Sequence, residues 1–405
     1  MPESVPLNIA MVSGSMPPMH CGVGDNALML ARALADRGHR VTVYTHQDAD
    51  ALEEHHLTVR PLVPSWNWAG CHALTHALVL DDPDIIHLQY PTRGFGSHTG
   101  PLLIPTFLRV RHFRGPIVTQ LHEFSAAHWL RRTVLWPLLN ESDGIAVSSH
   151  RERERLLFRH RSLNDRPLRV APVGPVVFPG HAPSATSDEW AATLAAWGVP
   201  ADAFPVLISY GFVRGDKGLE TLARAVAEIQ KGTKVHVVHI GPWNPAQNRP
   251  QEDLLNAISN ALVIDRFHFV DYQPLTVLPA TPLPGTVGIF PYRDGISDRR
   301  SAAITLGWLG YPLITTISGD GPTDAKWGEQ ALLVPPDDPS ALAQAIKGIG
   351  TAGVPTARPD LFADRYSWGA IAAEIEDFYS DVLDRYRVIT DPGYVPAAAA
   401  HAAHH

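Results

Sequence analysis

At 405 residues and 44.2 kDa the chain has about twice the usual single-domain length, which implies two domains and excludes a peptide hormone or a small stapled scaffold. With 45% hydrophobic and 18% charged residues and a mean hydropathy of −0.05, it is composed like a folded globular protein, not a disordered or collagen-like one. The formal charge of −8 leaves no global positive field to hold a nucleic-acid backbone, so nucleic acid is excluded as a partner.

The opening MPESVPLNIAMVSGSMPP has no basic n-region or long apolar stretch, so neither a signal peptide nor a membrane span is expected. Two cysteines, Cys21 and Cys71, cannot build a disulfide framework or a four-cysteine zinc site, and they suit a reducing compartment, the cytoplasm. The first predicted strand, Leu7 to Ser13, leads through GSMPPMHCGVGDN into an amphipathic helix. Asp25 or Asn26 is expected to cap that helix and Gly38 to end it. Gly22, Val23 and Gly24 then lie at a helix N-terminus, where free amides suit an anion. Gly22, Gly24 and Ala27 also match the dinucleotide fingerprint G-x-G-x-x-A, but eight residues separate the first glycine from the strand. The second strand ends in Tyr44, Thr45 and His46 and lacks the carboxylate that would grip a ribose.

Strands are predicted at Arg40 to Thr45, Asp84 to Tyr90, Pro116 to His122, Asp143 to Ser149 and Leu168 to Val173, with helices between most of them. His122 closes its strand beside Glu123 and His87 lies within another, so either can be a reacting group or a structural histidine. In CHALTH, His72 and His76 form an i, i+4 pair without a further evident ligand, so a capped helix of small residues is favoured over a metal site. Arginines crowd RVRHFRG, LRRT and SHRERERLLFRHR, a pattern that suits a solvated helix face or a weak contact with a membrane surface.

Residues 176–204, rich in Pro, Ala and Ser, are read as a linker between an N-terminal domain, 1–175, and a second α/β domain, 205–360. Strands are predicted there at Pro205 to Gly211, Lys234 to Gly241, Arg266 to Val270, Thr286 to Tyr292, Pro312 to Thr316 and Ala331 to Pro336. The fold class is therefore α/β, with two Rossmann-like doubly wound domains facing across a cleft and ligands at the carboxyl ends of the strands. The strand PVLISYG runs into FVRGDKGLETLARAV, placing Arg214 and Lys217 beside a helix start. Lys217 is the first of only five lysines against twenty-eight arginines, and charged hydrogen bonds from it would hold a diphosphate; an ordinary surface loop is the alternative. After Tyr292, Ser297 or Asp298 is expected to cap a helix with Arg299 and Arg300 in its first turn, again an anion site or a plain capped helix.

Taken in order, CGVGDNALMLARALADRGHRVTVYT, PDIIHLQYPT, PIVTQLHE, GFVRGDKGLETLARAV, GYPLITT, ALLVPPDDPSALAQAI and RYSWGAIAAEIEDFY resemble the retaining family-4 glycosyltransferases of GT-B fold over nearly the whole chain. The resemblance implies a final helix, residues 361–388, crossing back onto the first domain, followed by a flexible tail, 389–405. It implies hexosyl transfer from a UDP- or GDP-linked sugar to an acceptor hydroxyl, without a cofactor or metal. The glycine loop falls on Gly22, Val23 and Gly24 near the donor diphosphate, with Asp25 and His87 on the acceptor side, and the active-site histidine falls on His122. The lysine of R-x-x-x-x-K-G falls on Lys217, while the arginine falls on Phe212 after Gly211, so Arg214 would replace it. The paired glutamates that contact the donor fall on Ser297 and Thr305, neither acidic, with Asp298 next to the first slot. The Ser297 to Arg300 segment would then bind the donor by amides and arginines. The missing glutamates leave a noncatalytic sugar-nucleotide-binding protein as an alternative, and a nicotinamide oxidoreductase as a remoter one. Which sugar and which acceptor are used is not encoded in these motifs.

Overall fold

The computed structural model describes residues 5–124, 134–177, 182–229, 233–279, 281–350, 358–391 and 394. The chain divides into two compact units, Met1–Gly174 with Trp368–His405, and Pro175–Ser367.

In the first unit the strands are β1 (Asn8–Val12), β2 (Arg40–His46), β3 (Leu52–Glu54), β4 (Leu57–Val63), β5 (Ile85–Tyr90), β6 (Ile117–Leu121), β7 (Gly144–Val147) and β8 (Leu168–Val170). They form one sheet in the order β3-β4-β2-β1-β5-β6-β7-β8, with only β3 antiparallel to its neighbour. Helices α1 (Gly22–Asp36), α2 (Trp68–Asp81), α3 (Ile104–Val110), α4 (Trp136–Asn140) and α5 (His150–Arg159) carry the chain between strands. The apolar runs of β1, β5, β6 and β7 are buried along nearly their whole length, as a parallel sheet covered on both faces requires.

The helix Trp368–Thr390 belongs to this unit, where it packs on α1 and turns Ile371, Ile375, Phe378 and Val382 inward. Its Glu376 is held by Arg37 and by His39 at 2.8 Å. The single helix expected over 361–388 is two helices instead, because Ser367 adopts an extended backbone between them. Of the expected tail, residues 392, 393 and 395–405 lie outside the described residues, as do Arg131 and Arg132 of LRRT.

In the second unit β9 (Val206–Tyr210), β10 (His236–Ile240), β11 (Phe267–Val270), β12 (Thr286–Phe290), β13 (Leu313–Thr316) and β14 (Leu332–Val334) pair in parallel, in the order β11-β10-β9-β12-β13-β14. Its helices are α6 (Ser187–Ala196), α7 (Leu219–Ile229), α8 (Arg249–Asn260), α9 (Ser301–Trp308), α10 (Gly321–Gly328), α11 (Pro339–Lys347) and α12 (Pro359–Tyr366). In α7 the residues Leu219, Leu222, Ala223, Val226 and Ile229 recur at helical spacing and are buried against the sheet. The stretch read as a linker is not featureless: α6 is fixed by a capping box between Thr186 and Glu189 and buries Trp190. Its Pro, Ala and Ser content marked a composition change, and Ala and Ser also tolerate a capped helix.

Candidate active site

In the second unit the chemistry gathers after β9. Gly211 leaves the strand at φ 103°, Val213 is buried, and the chain makes a 3-10 turn over Gly215–Lys217 before α7. Gly218 closes the turn at φ 64°, where a Cβ would lie 1.9 Å from the carbonyl oxygen of Pro291, so only glycine fits. The backbone of Arg293 donates to the Asp216 carbonyl at 3.0 Å and ties this turn to the segment after β12.

The Lys217 ammonium lies 4.9 Å from the centre of the Tyr292 ring, and the Arg300 guanidinium lies 4.0 Å from the same ring. Lys217 keeps part of its surface exposed while its ammonium end is enclosed. Burial and then the Arg300 charge push its pKa down to about 7 against the pull of Asp216. An incoming diphosphate would reverse that balance.

Arg214 is exposed and lies 3.6 Å from Asp216. Phe212, in the slot of the family arginine, is partly buried and offers no charge.

The arginines expected in the first turn of a helix stand before it. α9 begins at Ser301 with Arg300 at its N-cap, because Arg300 is drawn inward to Asp216 at 2.6 Å and to Asp294. Arg299 also pairs with Asp294. Burial disfavours the Asp216 charge, but Arg300 outweighs it and holds the carboxyl at about 2. Arg300 is thus a strut joining two loops beneath Lys217, and its charge is already met.

Asp298 neither caps α9 nor points to an open site. It is buried, accepts from Tyr366 at 2.6 Å and Arg365 at 2.5 Å, and meets Lys326 at 3.1 Å. Thr305 is also buried, and its hydroxyl accepts from the Val176 amide at 2.9 Å. Asp298 and Thr305, two expected donor contacts, are therefore committed to α10, α12 and the entry into the unit. Ser297 differs, since its hydroxyl is buried without a hydrogen-bond partner among the described residues, as are the Tyr292 hydroxyl and the Arg300 Nε. Asp298→Asn is accordingly expected to lower the stability of this unit by roughly 1–3 kcal/mol in urea denaturation while leaving the donor KM nearly unchanged. A donor-specific KM defect without a stability change would return Asp298 to the donor site.

His239 on β10 was not singled out in the sequence. It is buried, its Nδ1 lies 3.2 Å from the Ser209 hydroxyl, and burial followed by the Lys217 charge lowers its pKa to about 4. Its position near the carboxyl end of a strand, two residues before Gly241, was the available signal.

In the first unit α1 starts at Gly22 with Cys21 as its N-cap, so Asp25 and Asn26 lie inside the first turns and do not cap. Gly22 is exposed and Val23 partly so, while a Cβ on Gly24 would meet the Ser15 carbonyl at 2.4 Å. The loop is cinched by the Gly94 amide, which donates to the Ser15 hydroxyl at 2.6 Å. The Asp25 amide donates to the Cys21 carbonyl at 2.9 Å, while its carboxyl has no hydrogen bond or ion pair among the described residues and burial raises it to about 7.

His122 follows β6, is 5% exposed, and its Nε2 lies 2.6 Å from the Gln89 Oε1. Burial lowers its pKa to about 4, so it is neutral at physiological pH. His87, expected on the acceptor side, is fully buried in β5 with Nδ1 2.6 Å from the Tyr379 hydroxyl, because strand alternation puts it on the face covered by the C-terminal helix. The His72 and His76 pair does lie on a helix, α2, with the Arg111 guanidinium 3.0 Å from His72.

With two parallel-sheet units and a cationic turn after β9 described, the comparisons place the chain in a class. Residues 21–174 match the model Glycosyltransferase Family 4, and residues 204–350 match Glycosyl transferases group 1. The chain is a glycosyltransferase of GT-B fold, a family-4-type domain followed by a group 1 domain.

Among solved structures it is similar to sucrose-phosphate synthase from Thermosynechococcus elongatus (21% identity, TM-score 0.68, covering 93% of this chain and 99% of that one). It is also similar to Anabaena HepE in complex with UDP and glucose (17% identity, TM-score 0.68, 92% and 99% covered). A UDP-forming α,α-trehalose-phosphate synthase from Burkholderia xenovorans is a third (15% identity, TM-score 0.60, 93% and 98% covered). No curated protein sequence matches the chain. Among the described residues no helix is long and apolar enough to cross a membrane.

Proposed function

We propose that the protein is a retaining hexosyltransferase that takes a sugar from a UDP- or GDP-linked donor and adds it to an acceptor hydroxyl in the cytoplasm. The observation that carries this reading is the turn Gly215–Lys217, where an enclosed ammonium, Arg214 and the start of α7 converge after β9. Departure of the nucleoside diphosphate builds negative charge on its terminal phosphate. Lys217 and Arg214 would stabilise that charge, the largest contribution available from these side chains, so the proposal requires no metal.

The donor bond breaks at the anomeric carbon, and the acceptor hydroxyl attacks from the face the diphosphate leaves, so configuration is kept. Its proton passes to the departing phosphate oxygen. Gly22 and Val23, at the start of α1, are assigned to the donor diphosphate, and His122 and Asp25 to the sugar and acceptor hydroxyls. The complexes of the HepE structure with UDP and UDP-glucose support a nucleotide-sugar donor. A weak membrane-surface contact is part of the same proposal, through α5, where Arg153 and Arg159 are exposed beside Phe158.

The test is a panel of UDP- and GDP-sugars read by thermal shift, then by release of free nucleoside diphosphate with candidate hydroxyl acceptors. Stabilisation by one nucleotide class and diphosphate release with retained anomeric configuration is the expected result. Inversion of configuration, or stabilisation by NAD alone, would overturn it.

A further inference from the structure

A buried polar chain runs from His122 into the first unit. On β5 and β6 the residues His87, Gln89 and Gln120 share one face of the sheet, since Gln89 is two residues from His87 and pairs in register with Gln120; His122 continues that face. All four side chains are nearly inaccessible to solvent.

The Gln89 amide nitrogen lies 3.1 Å from the Gln120 Oε1 and 3.1 Å from the His87 Nε2. An amide nitrogen has two hydrogens, and this places one on each partner. Its oxygen is thereby turned to His122, 2.6 Å from Nε2, and an amide oxygen only accepts. His122 must therefore carry its proton on Nε2. His87, accepting at Nε2, carries its own on Nδ1 and donates it to the Tyr379 hydroxyl at 2.6 Å, on the C-terminal helix. Both imidazoles are neutral in this sealed setting, which keeps one donor and one acceptor on each ring. The His122 Nδ1 receives no hydrogen bond from any described residue.

We propose that Gln89, backed by Gln120, His87 and Tyr379, is a positioning residue that holds His122 as the Nε2–H tautomer, leaving its Nδ1 lone pair to accept a hydrogen bond from a substrate hydroxyl. The inference rests on the assignment of His122 to substrate hydroxyls above, but its first readout does not. A ring presented as acceptor selects a hydroxyl with a hydrogen to give, and cannot bind a phosphate or carboxylate oxygen at that nitrogen.

The test is nitrogen-15 NMR of histidine-labelled whole protein without substrate, the His122 signals being assigned with a His122→Asn variant. The expected result is a protonated Nε2 and an unprotonated Nδ1 in the wild type. Gln89→Glu still accepts from Nε2–H and is expected to keep the tautomer, while its negative charge moves the acid limb of the pH–rate profile to higher pH. Gln89→Leu is expected to mix the tautomers and lower kcat about tenfold, with less change in the donor KM. A wild-type His122 protonated on Nδ1, or a Gln89→Leu protein with the Nε2–H tautomer and full kcat, would overturn the proposal. Should Gln89→Leu fail to fold, the wild-type spectrum and Gln89→Glu still decide it. If the tautomer is as stated and no sugar is transferred, the functional reading fails and the positioning role stands.

Discussion

Lys217→Ala is expected to lower kcat/KM by roughly 10–100-fold, the loss of about 1.5–3 kcal/mol from one charged hydrogen bond to the leaving diphosphate. The loss should fall mainly on kcat, because the ammonium meets more charge in the transition state than in the bound donor. Structure sharpens the expectation with a pH signature. In the free enzyme the Lys217 pKa is lowered to about 7, so the cation is present below that pH and lost above it. The kcat/KM of the wild type should therefore decline as pH rises through about 7 to 8, and this limb should vanish in Lys217→Ala. Unchanged kinetics in the variant, or an identical alkaline limb, would remove Lys217 from the reaction.

Acid should destabilise the fold well above the pH at which carboxylates titrate. His87, His122 and His239 are buried and neutral, with pKa values lowered to about 3, 4 and 4. Unfolded, each titrates near 6.5. As pH falls from about 6.5 towards 4 the unfolded chain takes up protons that the native chain refuses, and stability falls. Asp25 opposes this, since its carboxyl is raised to about 7 and it is the native chain that holds its proton over the same interval. These three histidines against Asp25 leave a net uptake of about two protons on unfolding, roughly 3 kcal/mol lost per pH unit, and His236, also lowered to about 4, adds to the loss. Between pH 6 and 4.5 the loss, summed over both units, is on the order of 4 kcal/mol. Urea midpoints measured across this range should drop steeply, and His239→Asn should flatten the slope for the second unit. Midpoints that stay level from pH 7 to 5 would show that these histidines are protonated in the native state.

What could be read in the sequence was what local chemistry writes. Gly22 and Gly24 before an amphipathic run mark the start of α1, and the GDKG step after an apolar strand marks the turn that carries Lys217. The hairpin of β3 and β4 was not visible, because Pro61 interrupts the second run and the first is Leu-Glu-Glu, which does not look like a strand. The cap expected at Asp298 failed for a different reason. A buried carboxylate is decided by its partners, and Lys326 and Arg365 come from 28 and 67 residues away. The pairing of Arg300 was equally hidden, because Asp216 reaches it from the turn after β9, 84 residues away, while Asp294 meets it within its own loop. Gln89 carried no signal as a polar residue in an apolar strand until its register with Gln120 set its amide.

The central claim is that the Lys217 turn holds a nucleoside diphosphate, and calorimetric titration with UDP and with GDP at pH 7.5 tests it most directly. Wild-type protein should bind one of the two and take up part of a proton per molecule bound, as the anion lifts the Lys217 pKa. Lys217→Ala should bind at least about tenfold more weakly and take up none. Equal affinity in the two proteins, with equal proton uptake, would contradict the account.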